Sequence, residues 1–133
     1  MSARERIFVD GMNVLGSRPD GWWRDRPAAM ERLTRRLAAF ADREGIELTV
    51  VWDGNEHTRV ATAGEGIEIR FAPGGPDAAD KEIVRLIRAD DDPAAITVVS
   101  SDRRLRNSVK AAGAIGIGAG ELLDRMNASE VPD

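Results

Sequence analysis

Apolar residues in this chain fall into short unbroken runs, separated by stretches in which they recur every three or four positions. Ile7-Phe8-Val9, Leu48-Thr49-Val50-Val51-Trp52 and Ile96-Thr97-Val98-Val99 are runs rich in β-branched residues, the pattern of strands buried on both faces of a sheet. Ile67-Glu68-Ile69-Arg70-Phe71 alternates with period two and predicts an edge strand with one wet face. Ile115-Gly116-Ile117 predicts a short final strand. Met30, Leu33, Leu37, Phe40 and Ala41 follow helical spacing from Pro27 to a stop at Gly45. Further helices are predicted over 78–88, burying Ile83, Val84 and Ile87, over 103–112, burying Leu105 and Val109, and over 121–127. The polar stretches 16–26 and 56–66 predict loops, 73–76 a turn, and 128–133 a frayed tail. Strands alternating with helices predict a three-layer α/β/α sandwich with a mostly parallel sheet. All strand carboxyl ends then lie on one edge.

Composition narrows the chemistry. A chain of 133 residues suits a single domain spanning 1–133, and 42% hydrophobic with 32% charged residues suits a soluble globular protein. The absence of cysteine excludes disulfides, thiol catalysis and thiolate metal sites, and one histidine, His57, excludes a multi-histidine zinc site. No apolar run is long enough to span a membrane, and Met1-Ser2-Ala3-Arg4 leads into a strand without an apolar signal segment, so a cytoplasmic protein is expected. A net charge of −4 argues against a polycationic coat for nucleic acid, while leaving room for a local basic rim.

Three strands end in an acid. Asp10, Asp53 and Asp102 each follow a hydrophobic run, directly or after a serine pair, and the fold predicted above gathers them where open α/β sheets place ligands. Asp77 and Asp80 open the helix that precedes the Asp102 strand. Each acid also has an ordinary use: Asp10 and Asp53 as Asp-Gly turn formers, Asp77 and Asp102 as helix caps. Three separate βα junctions ending alike favour a site. Clustered carboxylates repel one another, and a hard divalent ion relieves that repulsion; Mg²⁺ or Mn²⁺, one ion or two, takes oxygen ligands of this kind. Asn13, three residues after Asp10, offers an amide to the same edge. Ser100 and Ser101 offer hydroxyls to Asp102, to a helix end or to a phosphate.

The segments Val9-Asp10-Gly11-Met12-Asn13-Val14, Val50-Val51-Trp52-Asp53-Gly54, Asp77-Ala78-Ala79-Asp80-Lys81-Glu82-Ile83 and Val98-Val99-Ser100-Ser101-Asp102 together resemble the NYN family of PIN-like nucleases, most closely its YacP-like branch. They come in the family's order and span about residues 6–126. The resemblance implies a PIN-like fold and metal-dependent hydrolysis of RNA by an activated water. Asp10, Asp80 and Asp102 match the family's metal-binding acids, with Asn13 and Asp53 in supporting positions. Two departures stand out: Met12 occupies a place often aromatic in the family, and the C-terminal part is short beside longer YacP-like proteins. The implied partner is RNA, presented free, by a ribosome or by another protein.

Arg103, Arg104, Arg106 and Lys110 follow Asp102, and Arg18, Arg24 and Arg26 follow Asn13; Ser100, Ser101, Arg103, Arg104 and Arg24 are the expected phosphate contacts. Trp22 and Trp23 are candidates for stacking on unpaired bases or for packing into the core. Two phosphoryl-transfer folds fit less well. A haloacid-dehalogenase-type phosphatase needs a second aspartate where Met12 stands, and a receiver domain lacks a reason for Asp102. The rival reading that survives is an RNA-binding or toxin-partner module on the same fold with little or no catalysis.

Overall fold

A computed structural model describes residues 4–130 of the chain. Five strands, β1 (Arg6–Asp10), β2 (Glu47–Asp53), β3 (Glu68–Ala72), β4 (Ile96–Val99) and β5 (Ile115–Ile117), form one sheet in the order β3-β2-β1-β4-β5. Every pairing is parallel, so all five carboxyl ends share one edge. The period-two segment is an edge strand, as its alternation predicts.

Side-chain alternation sorts the apolar runs into two cores. Ile7 and Val9 of β1, Leu48, Val50 and Trp52 of β2, and Val99 of β4 face helices α1 (Gly11–Gly16), α2 (Arg26–Glu44) and α6 (Ala119–Glu130). Val51, Ile96 and Val98 face the other way, onto α4 (Ala78–Arg88) and α5 (Arg103–Ala111). The result is the predicted three-layer α/β/α arrangement. Asp25 caps α2, its side chain accepting from the Ala28 amide at 3.2 Å, and Gly45 ends the helix at φ 67°. Among the described residues no helix is long and apolar enough to cross a membrane.

Four expectations need correction. The residues after β1 are helical: Gly11–Gly16 form α1, burying Val14 and Leu15, and Trp22–Arg24 form a 3-10 turn inside the expected loop. Six residues with glycine at each end are too few to display a helical period. Within 56–66, Thr58–Ala61 make one turn of helix, α3, around the fully buried Val60. The last helix is longer than predicted at both ends, so 128–130 are helical; 131–133 lie outside the described residues. Asp77 is not a side-chain cap, for a reason given below.

Gly11 shows what an Asp-Gly pair is for here. It is not a positive-φ turn glycine, whereas Gly54, after Asp53, is, at φ 105°. Gly11 instead lets α1 lie against the Trp52 ring: a Cβ at this position would sit 2.6 Å from the ring, and Trp52 is fully buried. Gly11→Ala is therefore expected to destabilise the protein by about 1–3 kcal/mol, the usual cost of overpacking, measured as a lower urea midpoint at unchanged m-value.

Candidate active site

Register brings the acids together. Val9 of β1 lies opposite Val99 of β4, so Asp10 ends its strand beside Ser100. Asp10 is buried, 4% exposed, and Ser100 is fully buried. The Ser100 hydroxyl donates to Asp10 Oδ2 at 2.9 Å and accepts from the Asp102 amide at 3.1 Å. Asp102 Oδ1 then accepts from the amides of Arg104, at 2.8 Å, and Leu105, at 3.3 Å, capping α5. One chain of hydrogen bonds thus runs from the end of β1 through Ser100 to the start of α5. A second runs beside it: Asn13 Oδ1 accepts from the Ser101 amide at 2.8 Å, and Ser101 Oγ accepts from the Ala119 amide at the start of α6, at 3.0 Å.

Asp80 arrives by another route. It lies in the first turn of α4, whose N-terminal amides find no acceptor in the Asp77 side chain. Asp77 adopts the left-handed conformation, φ 66°, turning the chain after Gly74 and Gly75. The cap comes from the neighbouring strand instead: Asp53 Oδ1 accepts from the Ala79 amide at 3.0 Å. Asp53 is at once the end of β2 and the anchor of the helix that carries Asp80.

Electrostatics reports the same convergence. Burial pushes the Asp10 carboxyl up to about 6, the Ser100 hydrogen bond pulling down and the charges of Asp53 and Asp102 pushing further up. Asp80 rises to about 7, through burial first and then the charges of Asp10, Asp102, Asp77 and Asp53. Among the described residues none of these five acids has an ion pair with a lysine or arginine. Such a donor set fits a hard divalent cation, which would neutralise the repulsion. Among the described residues no group of three or more acid or histidine side chains is placed to hold a metal ion as the side chains stand.

The expected phosphate contacts divide. Arg104 lines a groove of about 720 Å³ between α4 and α5, together with Asp77, Asp80 and Asp102. Ser101 and Arg103 line a second groove on the other side of α5. Ser100 has no exposed surface, so its hydroxyl orients Asp10 and Asp102 rather than meeting a phosphate. Arg24 sits in the 3-10 turn packed on α2, and neither groove includes it. Trp22 packs against the core, while Trp23 is 56% exposed. His57 precedes α3, with its Nδ1 buried and unpartnered. Lys81 and Arg88, which the sequence reading passes over, line the first groove. Their spacing from Asp77 and Val84 along one helical face is the signal that marks them.

Comparison with known proteins identifies the family and the fold. The family model for the YacP-like NYN domain matches residues 7–132. The crystal structure of Rae1 (YacP) from Bacillus subtilis superposes with a TM-score of 0.79 at 24% identity, over 93% of this chain and 74% of that one. Its W164L mutant gives 0.78 at 25% identity, over 95% and 77%. Comparison with curated proteins finds no match.

Two measurements check the electrostatics. Both Asp10 and Asp80 have folded values above the ordinary 3.8, so the folded state holds protons that the unfolded chain has released. Metal-free protein should therefore gain stability as pH falls from about 8 to about 5. Glu82 and Glu130, lowered by their partners Arg85 and Arg36, act oppositely only below their usual 4.5. Thermal melts should rise by a few degrees over that window, and saturating Mg²⁺ at the upper pH should remove the trend. Asp80→Asn should stabilise the metal-free protein at the upper pH by on the order of 1 kcal/mol, a figure reduced for its partial exposure. Asp53→Ala should instead cost about 1 kcal/mol through loss of the α4 cap, read by urea unfolding.

Proposed function

The chain belongs to the YacP-like NYN domain family, and we propose that it is a metal-dependent endoribonuclease hydrolysing RNA phosphodiester bonds. The observation that carries this reading is the convergence of Asp10, Asp80 and Asp102 on one sheet edge without a cationic side chain to pair them. A nuclease of the PIN-like fold needs acids so placed, and a purely structural cluster would be costly to keep unpaired.

Asp10, Asp80 and Asp102 would hold one or two Mg²⁺ or Mn²⁺ ions. When bound, the ions supply an acidified water and offset charge on the phosphate oxygens. The chain's own residues do the positioning. Ser100 fixes the rotamer of Asp10 by donating to Oδ2. Asp102 spends Oδ1 on the α5 amides and keeps Oδ2 for the site. Asp53 sets α4, and therefore Asp80, against the sheet. Asn13 pins the Ser101 backbone, which fixes the start of the segment leading into α5. No protein nucleophile is required, in keeping with a chain that lacks cysteine.

Incubation of labelled RNA with the protein and Mn²⁺ tests this reading. Cleavage should stop on addition of a chelator, and Asp10→Asn or Asp80→Asn should lose at least about 100-fold in rate, as for loss of a metal-holding group. RNA retained but left intact by the wild-type protein would establish the binding module instead.

A further inference from the structure

Helix α5 is a ridge between two grooves, one of mixed charge and one without acids. The groove on the α4 side mixes Lys81, Arg85, Arg88 and Arg104 with three of the acids. The groove on the β5 side, about 500 Å³, is bordered by Ser101, Arg103, Arg106, Asn107 and Lys110 above the short strand, and no acid lines it. Among the described residues none of Arg103, Arg106 and Lys110 has an ion pair. Spaced at i, i+3 and i+7, the three share one face of α5 in a chain whose net charge is −4. Arg106 is also held in place, its guanidinium donating to the Gly116 carbonyl at 3.3 Å across the groove floor.

We propose that the α5–β5 groove holds the phosphate backbone of the RNA strand on one side of the bond to be cut, with Arg103, Arg106 and Lys110 as the backbone contacts. The proposal rests on the ribonuclease reading and gives the substrate a direction. Ser101 carries the continuity: it lines the groove, its amide is bonded to Asn13, and it directly precedes Asp102. From Arg103 to Lys110 the helix rises about 10 Å at 1.5 Å per residue, enough to follow a backbone past a single phosphate. The groove wall is mostly polar and cationic, with Ala114 and Ile115 as its apolar part, a lining that suits a phosphate backbone. Arg104 faces the acid-lined groove and belongs to the other side of the ridge.

Fluorescence anisotropy with a labelled single-stranded RNA in chelator, over a series of salt concentrations, tests the assignment apart from cleavage. The double variant Arg106→Gln, Lys110→Gln should bind more weakly, and its log K against log [salt] slope should be shallower by about 1.4, at 0.7 per lost phosphate contact. The control Arg125→Gln, Arg36→Gln removes equal charge at residues paired with Glu5 and Glu130 and should leave the slope unchanged. An unchanged slope in the double variant, including the case where the groove serves an acidic protein instead, overturns the proposal, as does an equal change in the control. If wild type binds RNA by this groove but cuts none with Mn²⁺, the ribonuclease reading fails and the groove stands. If wild type does not bind RNA at all, both fail.

Discussion

The site is governed by the cost of placing carboxylates next to one another under cover of protein. Asp10 is almost wholly buried, yet its partner is a serine hydroxyl rather than a cation. Hydrogen bonds from neutral groups offset only part of the cost of burying a charge. Asp80, half-buried, bears a smaller version of the same cost, and among the described residues no side chain donates a hydrogen bond to it. A fold that needed these groups only for stability would do better with apolar residues or an arginine. The repulsion is the feature that makes sense of the rest, because a bound divalent cation would turn it into binding energy.

The backbone enforces that repulsion from several directions. All-parallel pairing puts the ends of β1, β2 and β4 on one edge, and register sets Asp10 beside Ser100. Helix starts then exploit the same edge. Asp102 caps its own helix, Asp53 caps the helix of Asp80, and Ser101 caps α6. Capping leaves these residues room for a second use: an aspartate has two oxygens, and capping takes one. Helix α5 then separates the acid-lined groove from the cationic one.

Much of this was legible in the sequence. Unbroken β-branched runs located the central strands, and their acidic ends pointed to the edge where Asp10, Asp53, Asp80 and Asp102 lie near one another, because both signals depend on a few adjacent residues. The part that stayed hidden depends on residues far apart. Asp53 reaches Ala79 across 26 positions, and no local pattern reveals that it replaces Asp77 as the cap. Ser100 reads as a cap or a phosphate ligand until the register places it under Asp10. Helix α1 is too short to show a period, and Gly11 reads as a turn glycine until the Trp52 ring is seen against it. The arginines after Asp102 read as one basic cluster, and only the helix geometry divides them between two grooves.

The claim beneath all of this is that Asp10, Asp80 and Asp102 form one cation site. Electron paramagnetic resonance of free Mn²⁺, titrated with protein at neutral pH, tests it without reference to any substrate. The account predicts that wild-type protein depletes the free signal, that Mg²⁺ restores it by competition, and that Asp10→Asn, Asp80→Asn and Asp102→Asn each weaken the depletion. A wild type that leaves the signal untouched, or variants that deplete it equally well, would contradict the account.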